Sequence, residues 1–310
     1  MGQIWKMMKT WQKVLAGFLI YVAVLVIMFL IFGSDGRNDE FAPQNEFLLD
    51  PWVPISIGGI DFSINKAVFY LALTSVLTIG AMVYIANRMQ REPNRVQMAV
   101  ELSYDLVRDN ITRGNLQDQK LATRWFPFLA TLFFFIWFSN MLGYVPLPTN
   151  TEHTVDIFGI AVPTFAIYAT TANIAIPLVL ALAVTVIYHT EGIRAKGFFP
   201  YFKSWLPGGL EDMNPIAKGG IFMIEAISHL VRPISLSVRL FANILAGHLL
   251  ILFMGGGLAV ILGLALLGTA TFPAALIFFL FEIGLVATLQ AFIFATLTAI
   301  YIGGATAESH

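Results

Sequence analysis

Long stretches without a charged residue dominate the hydrophobic pattern of this chain. Val14–Phe32 contains 19 such residues and Ala67–Ala86 contains 20, and about 20 apolar residues cross the hydrocarbon core of a bilayer as a helix. The pattern therefore predicts an all-α, polytopic membrane protein with about six transmembrane helices. After the first, the predicted spans are residues 67–87, 125–146, 164–188, 214–252 and 273–302.

A different pattern follows the second span. Apolar residues recur there at helical spacing while charged residues occupy the other side. We predict an interfacial amphipathic helix over residues 93–113, beginning at Pro93; an ordinary soluble helix is the alternative. The apolar positions are Val96, Val100, Tyr104, Val107 and Ile111.

The chain divides near residue 63. Residues 1–63 hold the first span and an acidic external loop, and residues 64–310 hold the remaining membrane domain. A cleaved signal peptide is the alternative for the first span, but its apolar region would be only about 7–15 residues, so we expect a retained span. Two prolines mark later helices: Pro177 is expected to kink the fourth span, and Pro273 to begin the sixth.

Composition and charge agree with a membrane protein. The chain is 57% hydrophobic and only 12% charged, whereas soluble domains carry about 25% charged residues. It has no cysteine, no His-x-x-x-His spacing and no phosphate-binding glycine-rich loop, so no metal site or ATP-binding site is expected. Lysine and arginine cluster before span one and in the connections after spans two and four. The positive-inside rule places these clusters on the cytoplasmic-type side, called internal below.

Two arginines lie inside the predicted fifth span, at Arg232 and Arg239. A charge at the centre of a bilayer helix costs from ~3 to more than ~10 kcal/mol, so it marks a functional site. Arg232 lies nearer the internal side and is expected to reach the headgroups. Arg239 is two turns deeper, and Ser235, Ser237 and Asn243 are expected to orient it. A guanidinium stays protonated, so Arg239 is a fixed charge that needs a carboxylate partner.

Polar residues flank Arg239 on both sides. Towards the external side, His248 and Glu282 form either a proton relay or a structural pair. Towards the internal side, a second group either lines an exit or ends the helix near the interface. It comprises Glu225, Ser228 and His229. Two polar tracks separated by a fixed charge indicate an ion path completed by a partner subunit.

Two other classes of protein are weighed against this interpretation. A secondary ion antiporter needs its own carboxylate carrier, whereas the deepest charge here is an arginine that cannot release its proton. An intramembrane metalloprotease needs a motif such as His-Glu-x-x-His, which the chain lacks.

The fifth-span motif, Arg232-Pro-Ile-Ser-Leu-Ser-Val-Arg-Leu-Phe-Ala-Asn-Ile-Leu-Ala-Gly-His248, resembles that of the subunit a family of F-type ATP synthases. Leu289–Tyr301 and Ser139–Pro146 support the resemblance, which covers roughly Ile64 to the carboxyl end. It implies that the last two helices are long and tilted against a ring of c subunits. Arg239 matches the essential arginine, which faces the ionised carboxylate of each passing c subunit and separates two aqueous half-channels. The implied proton-translocation residues are Arg239, His248, Glu282, Gln290, Asn243, Glu225, Ser228, Ser235 and Asn140.

Three features depart from the family pattern. Glu282 lies eight residues before Gln290, where the resemblance leads us to expect seven. One extra residue rotates a helix by about 100°, so either a π-bulge absorbs it or Glu282 faces another way. Ala172 stands where relatives often have an aspartate, which makes the external vestibule less acidic. The first span lies outside the common core.

The resemblance implies a non-catalytic, proton-translocating stator subunit without a cofactor. The implied partners are the c-subunit ring, the b-subunit peripheral stalk, other ATP synthase subunits and membrane lipid, with no nucleic acid. A bacterial plasma (inner) membrane is expected, with the mitochondrial inner membrane as the alternative. The choice between H⁺ and Na⁺ stays open because the selecting site lies on the c subunit.

Overall fold

The structure is a computed structural model that describes residues 10–32, 49, 51–144, 154–157, 160–163, 169–206, 214–254 and 265–307. The described residues form two compact units. One unit lies within residues 1–48 and 246–282, and the other within 49–245 and 283–310. Residues 145–146 and 164–168, which were predicted to end the third span and begin the fourth, lie outside the described residues.

Helices make up most of the described residues. In chain order they are α1 (Thr10–Phe32), α2 (Lys66–Asn87), α3 (Arg95–Asp105), α4 (Gln119–Gly143), α5 (Ala175–Lys196), α6 (Phe198–Lys203), α7 (Pro215–Leu252), α8 (Ala265–Phe281) and α9 (Ala287–Thr306). A π-helix, Leu106–Arg113, continues α3, a second one, Glu282–Val286, joins α8 to α9, and a 3₁₀ turn, Thr170–Ala172, precedes α5.

Short antiparallel strand pairs occupy two of the connections. Strand β1 (Pro51–Val53) pairs with β4 (Ile64–Asn65), β2 (Ser56–Ile57) with β3 (Ile60–Asp61), and β5 (Thr154–Ile157) with β6 (Ile160–Pro163). Gly58 and Gly59 link β2 to β3 with φ of 60° and 84°, which a two-residue hairpin turn requires of both central residues.

Five helical stretches of the described residues are long and apolar enough to cross a membrane. They are Lys66–Asn87, Gln119–Gly143, Ala175–Lys196, Pro215–Leu252 and Ala270–Thr306. Helix α1 adds 23 residues over the first predicted span. The predicted all-α, multi-pass fold is confirmed.

The first unit contains α1, α8 and the end of α7. Helices α1 and α8 pack together, and the Tyr21 hydroxyl donates to the Ala270 carbonyl at 2.7 Å. Pro273 lies inside α8, so the prediction that it begins the sixth span is wrong. Membrane helices tolerate an internal proline because neighbouring donors satisfy the freed carbonyls.

The second unit is built around α9. This helix packs against α4, α5 and the π-helix Leu106–Arg113, and α2 packs against α4. Small buried residues on α9, namely Ala291, Ala295 and Ala299, let neighbouring helices approach closely. Helix α7 contributes Leu236, Leu240 and Ile244 to the same core. The face of α7 that packs inward is therefore fixed.

Two proline predictions fail at helix starts. Helix α3 begins at Arg95, after Asn94 accepts a hydrogen bond from the Gln97 backbone, so Pro93 precedes the helix. Helix α5 begins at Ala175, which puts Pro177 in its first turn. The kink predicted at Pro177 is wrong because a first-turn residue has no intrahelical acceptor to lose.

The predicted apolar face of the amphipathic helix is buried only in the second half of the helix. Val107 and Ile111 are fully buried, whereas Val96 is 68% exposed and Tyr104 43% exposed. The winding changes from α to π after Asp105, which changes the spacing that brings residues to one face.

Candidate functional site

Arg239 lies on the exposed side of α7. Leu236 and Leu240 face the core, while Arg239 and Asn243 are exposed. None of the described side chains forms a hydrogen bond or ion pair with Arg239. Five apolar side chains that are 42–71% exposed lie on the adjoining side of the helix, about 80–180° around its axis from Arg239: Ile227, Leu230, Val231, Ile234 and Val238. A permanent cation thus stands on an exposed side of α7 that carries polar residues close to it and apolar residues further around the helix.

The serines near Arg239 differ in their environment. Ser235 is exposed and Ser228 is half-buried. Ser237 is buried and donates to the Ile234 carbonyl of its own helix, so the prediction that it orients Arg239 is wrong. Ser235 and Asn243, which are both exposed on α7, are therefore the polar neighbours of the guanidinium.

Arg232 points into the protein. Its Nη2 donates to Glu225 Oε1 at 3.2 Å, its guanidinium carbon lies 5.2 Å from the centre of the Tyr301 ring, and its side chain is only 27% exposed. The prediction that Arg232 reaches the headgroups is therefore wrong. A carboxylate and an aromatic face within reach satisfy the guanidinium inside the helix bundle.

The hydrogen bonds to His229 decide which of its ring nitrogens carries the proton. Arg232 Nη1 lies 3.3 Å from His229 Nδ1, and the Tyr188 hydroxyl lies 3.1 Å from the same nitrogen. A guanidinium only donates, so Nδ1 is the acceptor and the ring proton of neutral His229 sits on Nε2. That nitrogen lies 3.7 Å from Glu225 Oε1. His229 thus presents its N–H towards the carboxylate.

Aromatic rings surround this group. Trp205 stacks on His229 with ring centroids 4.3 Å apart, and His189 lies 5.3 Å from His229. The Tyr201 hydroxyl lies 2.8 Å from His189 Nδ1, and burial raises the pKa of the Tyr201 phenol, which stays neutral. A polar cavity of about 290 Å³ opens beside them. It is lined by Lys196, Ser204, Trp205, Glu225, His229 and Arg232.

Sequence reasoning missed most of this internal cluster. The partners His189, Tyr201, Trp205 and Tyr301 come from α5, α6, the turn after α6, and α9. No spacing within a single helix links residues so far apart in the chain. Among the described residues, no group of three histidine, aspartate or glutamate side chains is arranged to hold a metal ion.

Glu282 is buried against α7 within the first unit. It is 8% exposed, and a Cβ added at Gly247 would lie 2.6 Å from its Oε2. Gly247 immediately precedes His248, which is half-buried. The structure therefore brings the Glu282 carboxylate to the turn of α7 that carries His248.

A π-helix separates Glu282 from Gln290. It covers Glu282–Val286, and α-helical winding resumes at Ala287. A π turn accommodates one extra residue, so it absorbs the eight-residue spacing that the sequence left unexplained. Of the two interpretations of that spacing, the structure contains the π-bulge. Gln290 itself is buried, at 4% exposed.

Asn140 lies in a buried network rather than beside Arg239's exposed face. It is 0% exposed, accepts from the Thr171 hydroxyl at 2.8 Å and donates to the Ala287 carbonyl at 3.4 Å. Asn140 thus contacts the first residue of α9.

The fold and these clusters define a multi-pass helical membrane protein that holds acidic, basic and imidazole side chains within its spans, a class that includes ion-translocating subunits. Residues 68–303 match the profile of the family described as ATP synthase A chain. The chain is also similar to three proteins named "ATP synthase subunit a". That of Rubrobacter xylanophilus is 34% identical over 82% of this chain and 88% of the relative. Those of Beijerinckia indica and Rhizobium rhizogenes are 31% and 33% identical over 87% and 85% of this chain, and 98% and 96% of the relatives. The chain belongs to the ATP synthase A chain family, which confirms the resemblance.

Proposed function

We propose that this chain is the proton-translocating subunit a of an F-type ATP synthase and couples proton flow to rotation of a c-subunit ring. Family membership supports this assignment. The observation that carries the mechanism is Arg239: a permanent cation, without a partner among the described residues, on the exposed side of α7. Such a charge needs a carboxylate, and the exposed apolar side chains on the adjoining side of α7 suit a helical partner in the membrane.

In the proposed path, protons enter from the external side through the Glu282 and His248 region. There they neutralise the carboxylate of a c subunit, which then moves through lipid without a charge. Gln290 and Asn243 serve as polar neighbours along this path. One charge that crosses ~100 mV releases about 2.3 kcal/mol, so several protons must cross for each ATP made.

Protons leave on the internal side through the Glu225 cavity. Arg239 attracts the returning carboxylate into its ionised form, and the released proton passes by way of Ser235 and Ser228 to Glu225. The cavity of about 290 Å³ beside Glu225 and His229 offers room for water. Arg232 lies 3.2 Å from Glu225 and holds its carboxylate at the edge of this cavity.

The proposal extends to partners and location. The chain itself is a non-catalytic stator subunit, so it works only beside the c-ring, the b-subunit peripheral stalk and the other ATP synthase subunits. A bacterial plasma (inner) membrane is the location that the bacterial relatives support.

The test is proton pumping by the assembled complex. In reconstituted vesicles, Arg239→Ala is expected to abolish ATP-driven acidification while the chain still copurifies with the c-ring. Arg91→Ala, a change at an exposed loop arginine, is the matched control and should pump normally. Acidification by Arg239→Ala at the rate of the control would refute the role of Arg239.

A second arm tests the class of protein. The purified chain, reconstituted without a c-ring, should move no protons under an imposed gradient. Ion exchange by the chain alone would show a self-contained antiporter and would overturn the proposal.

A further inference from the structure

We infer that Tyr188 is a positioning residue of the internal exit: its hydroxyl holds the His229 ring with Nε2–H towards Glu225, which leaves Oε2 of Glu225 to take the proton. The inference rests on the proposed function, because it deepens the role given to Glu225. All three residues belong to the second unit, Tyr188 on α5 and the other two on α7. Tyr188 acts only through His229.

Aromatic stacking fixes the plane of the His229 ring but not its direction. Trp205 stacks on the ring at 4.3 Å with 19° between the planes, and the Tyr188 ring lies 5.7 Å away at 29°. A half-turn of the imidazole about its bond to Cβ leaves the ring in the same plane, but it puts a carbon atom where Nε2 was. Stacking alone therefore permits an orientation in which a C–H, and not an N–H, faces Glu225.

Hydrogen bonds to Nδ1 of His229 remove this freedom. The Tyr188 hydroxyl lies 3.1 Å from Nδ1 and Arg232 Nη1 lies 3.3 Å from it. Because a guanidinium can only donate, Nδ1 carries no proton and the hydroxyl must donate to it as well. The hydrogen bond made at one imidazole nitrogen sets the proton on the other. Arg232 also donates to Glu225, so Tyr188 is the donor whose removal leaves that contact intact.

The burial of Tyr188 keeps its hydroxyl in this hydrogen bond. The residue is 0% exposed, and its ring also lies 5.8 Å from the Tyr301 ring of α9. A buried hydroxyl that loses its partner costs about 1–3 kcal/mol. The direction of the His229 ring is therefore set by a side chain that is itself held in the helix bundle.

Both contacts to the Glu225 carboxylate end on the same oxygen. Arg232 Nη2 donates to Oε1 at 3.2 Å, and His229 Nε2 lies 3.7 Å from Oε1. Among the described side chains, none pairs with Oε2. A proton on Oε1 would meet the hydrogens of two donors, so the proton binds Oε2. The Glu225 side chain is 36% exposed, and the cavity of about 290 Å³ adjoins it.

The first experiment asks whether Tyr188 acts through His229. Tyr188→Phe removes the hydroxyl but keeps the ring, and should slow ATP-driven proton pumping by the assembled complex about threefold. His229→Gln places an amide N–H near the position of Nε2 without needing a donor at Nδ1, so in that background Tyr188→Phe should change the rate less than about 1.5-fold. An equal loss in both backgrounds would mean that the hydroxyl acts through packing, and would overturn the inference.

A matched control tests whether the loss is specific to this hydroxyl. Tyr84→Phe makes the same change at a tyrosine of α2 that is 59% exposed, and it should pump at the natural rate. If Tyr84→Phe slows pumping as much as Tyr188→Phe does, the loss does not come from the hydrogen bond to His229 and the inference fails.

The second experiment reads the proton on His229 directly and does not depend on transport. Nuclear magnetic resonance of the assembled complex, with isotope-labelled histidine nitrogen in this chain, should show a proton on Nε2 and none on Nδ1. The signal of His229 is assigned by its loss in His229→Gln. Tyr188→Phe should give signals of both tautomers. A proton on Nδ1 in the natural chain, or an unchanged signal in Tyr188→Phe, would overturn the inference.

The two proposals fail separately. Normal pumping by Arg239→Ala refutes the proposed function, whichever nitrogen of His229 carries the proton. A proton on Nδ1 of His229 refutes the positioning role of Tyr188 and leaves the role of Arg239 untouched.

Discussion

The Glu282 carboxylate lies so close to Gly247 that a Cβ on residue 247 would come within 2.6 Å of its Oε2. A Cβ at residue 247 would therefore push the end of the Glu282 side chain aside, while the backbone conformation places no demand for glycine there. Gly247→Ala should displace the carboxylate and slow ATP-driven proton pumping by about tenfold, the effect of about 1.4 kcal/mol on a barrier. The rate of vesicle acidification, normalised to ATP hydrolysis, measures this.

A matched control exists on the same helix. An added Cβ at Gly220 would meet nothing within 4 Å, so Gly220→Ala should leave the pumping rate unchanged. If the two alanine variants behave alike, the contact between residue 247 and Glu282 does not matter for transport.

Glu282 is predicted to act through its proton and not through its shape. Glu282→Gln preserves the size of the side chain but removes the titratable group, and a missing acid–base group commonly costs ~100-fold or more. We expect pumping to fall by that order while the complex still assembles. Glu92→Gln, at an exposed position outside the spans, is the control. Normal pumping by Glu282→Gln would exclude Glu282 from the proton path.

Hydrophobic pattern was sufficient to predict the helices, because an uncharged stretch of about 20 residues has few alternatives in a membrane. The residues at which helices begin were harder to predict than the helices themselves. Pro273 and Pro93 were each taken for first-turn residues, but α8 begins at Ala265 and α3 at Arg95. Local capping and packing decide such ends, and a proline alone does not.

The candidate site was predictable only where residues share a motif. Arg239 and His248 belong to one helix, and the odd spacing between Glu282 and Gln290 already suggested the π-helix. By contrast, the stacking of Trp205 on His229 depends on how the turn after α6 packs against α7. That arrangement is a result of tertiary packing and leaves no periodic signal in the chain.

The internal cluster makes a prediction about Glu225. Glu225→Gln removes the carboxylate that lies 3.2 Å from Arg232 and leaves a half-buried guanidinium without its charged partner. We expect proton pumping to slow several-fold, by less than the loss from Arg239→Ala, because water in the cavity can partly replace the acceptor. His229→Phe, which keeps the stacking on Trp205 but not the ring N–H, should give a similar loss. Full activity of both variants would place the exit elsewhere.

The contacts of the Asp109 carboxyl predict that stability depends on pH outside the membrane-spanning helices. Hydrogen bonding from Arg108 lowers the pKa of the Asp109 carboxyl below its ordinary value, and Arg113 also contacts it at 2.9 Å. A lowered pKa adds stability above the unfolded-state pKa of about 3.9, and this is lost as the pH falls through the folded pKa. The protection of the π-helix Leu106–Arg113 against hydrogen exchange, after correction for the intrinsic pH dependence of amide exchange, should therefore fall in acid, and Asp109→Asn should remove that fall. An acid response that survives in Asp109→Asn would assign it to another group.

Glu191 offers a prediction about stability that involves no proton path. Its side chain is only 5% exposed and lies 2.8 Å from Arg194 and 3.5 Å from Arg124. Removal of Arg194 leaves the buried carboxylate with the longer contact alone, so Arg194→Ala should lower the free energy of unfolding by about 1–3 kcal/mol. Thermal unfolding of the purified complex measures the loss. Lys203→Ala, at an exposed residue of α6, should show no shift. Arg194→Ala combined with Glu191→Gln should recover part of the stability, because a neutral amide needs no counter-charge; no recovery would mean that Arg194 stabilises the chain through packing.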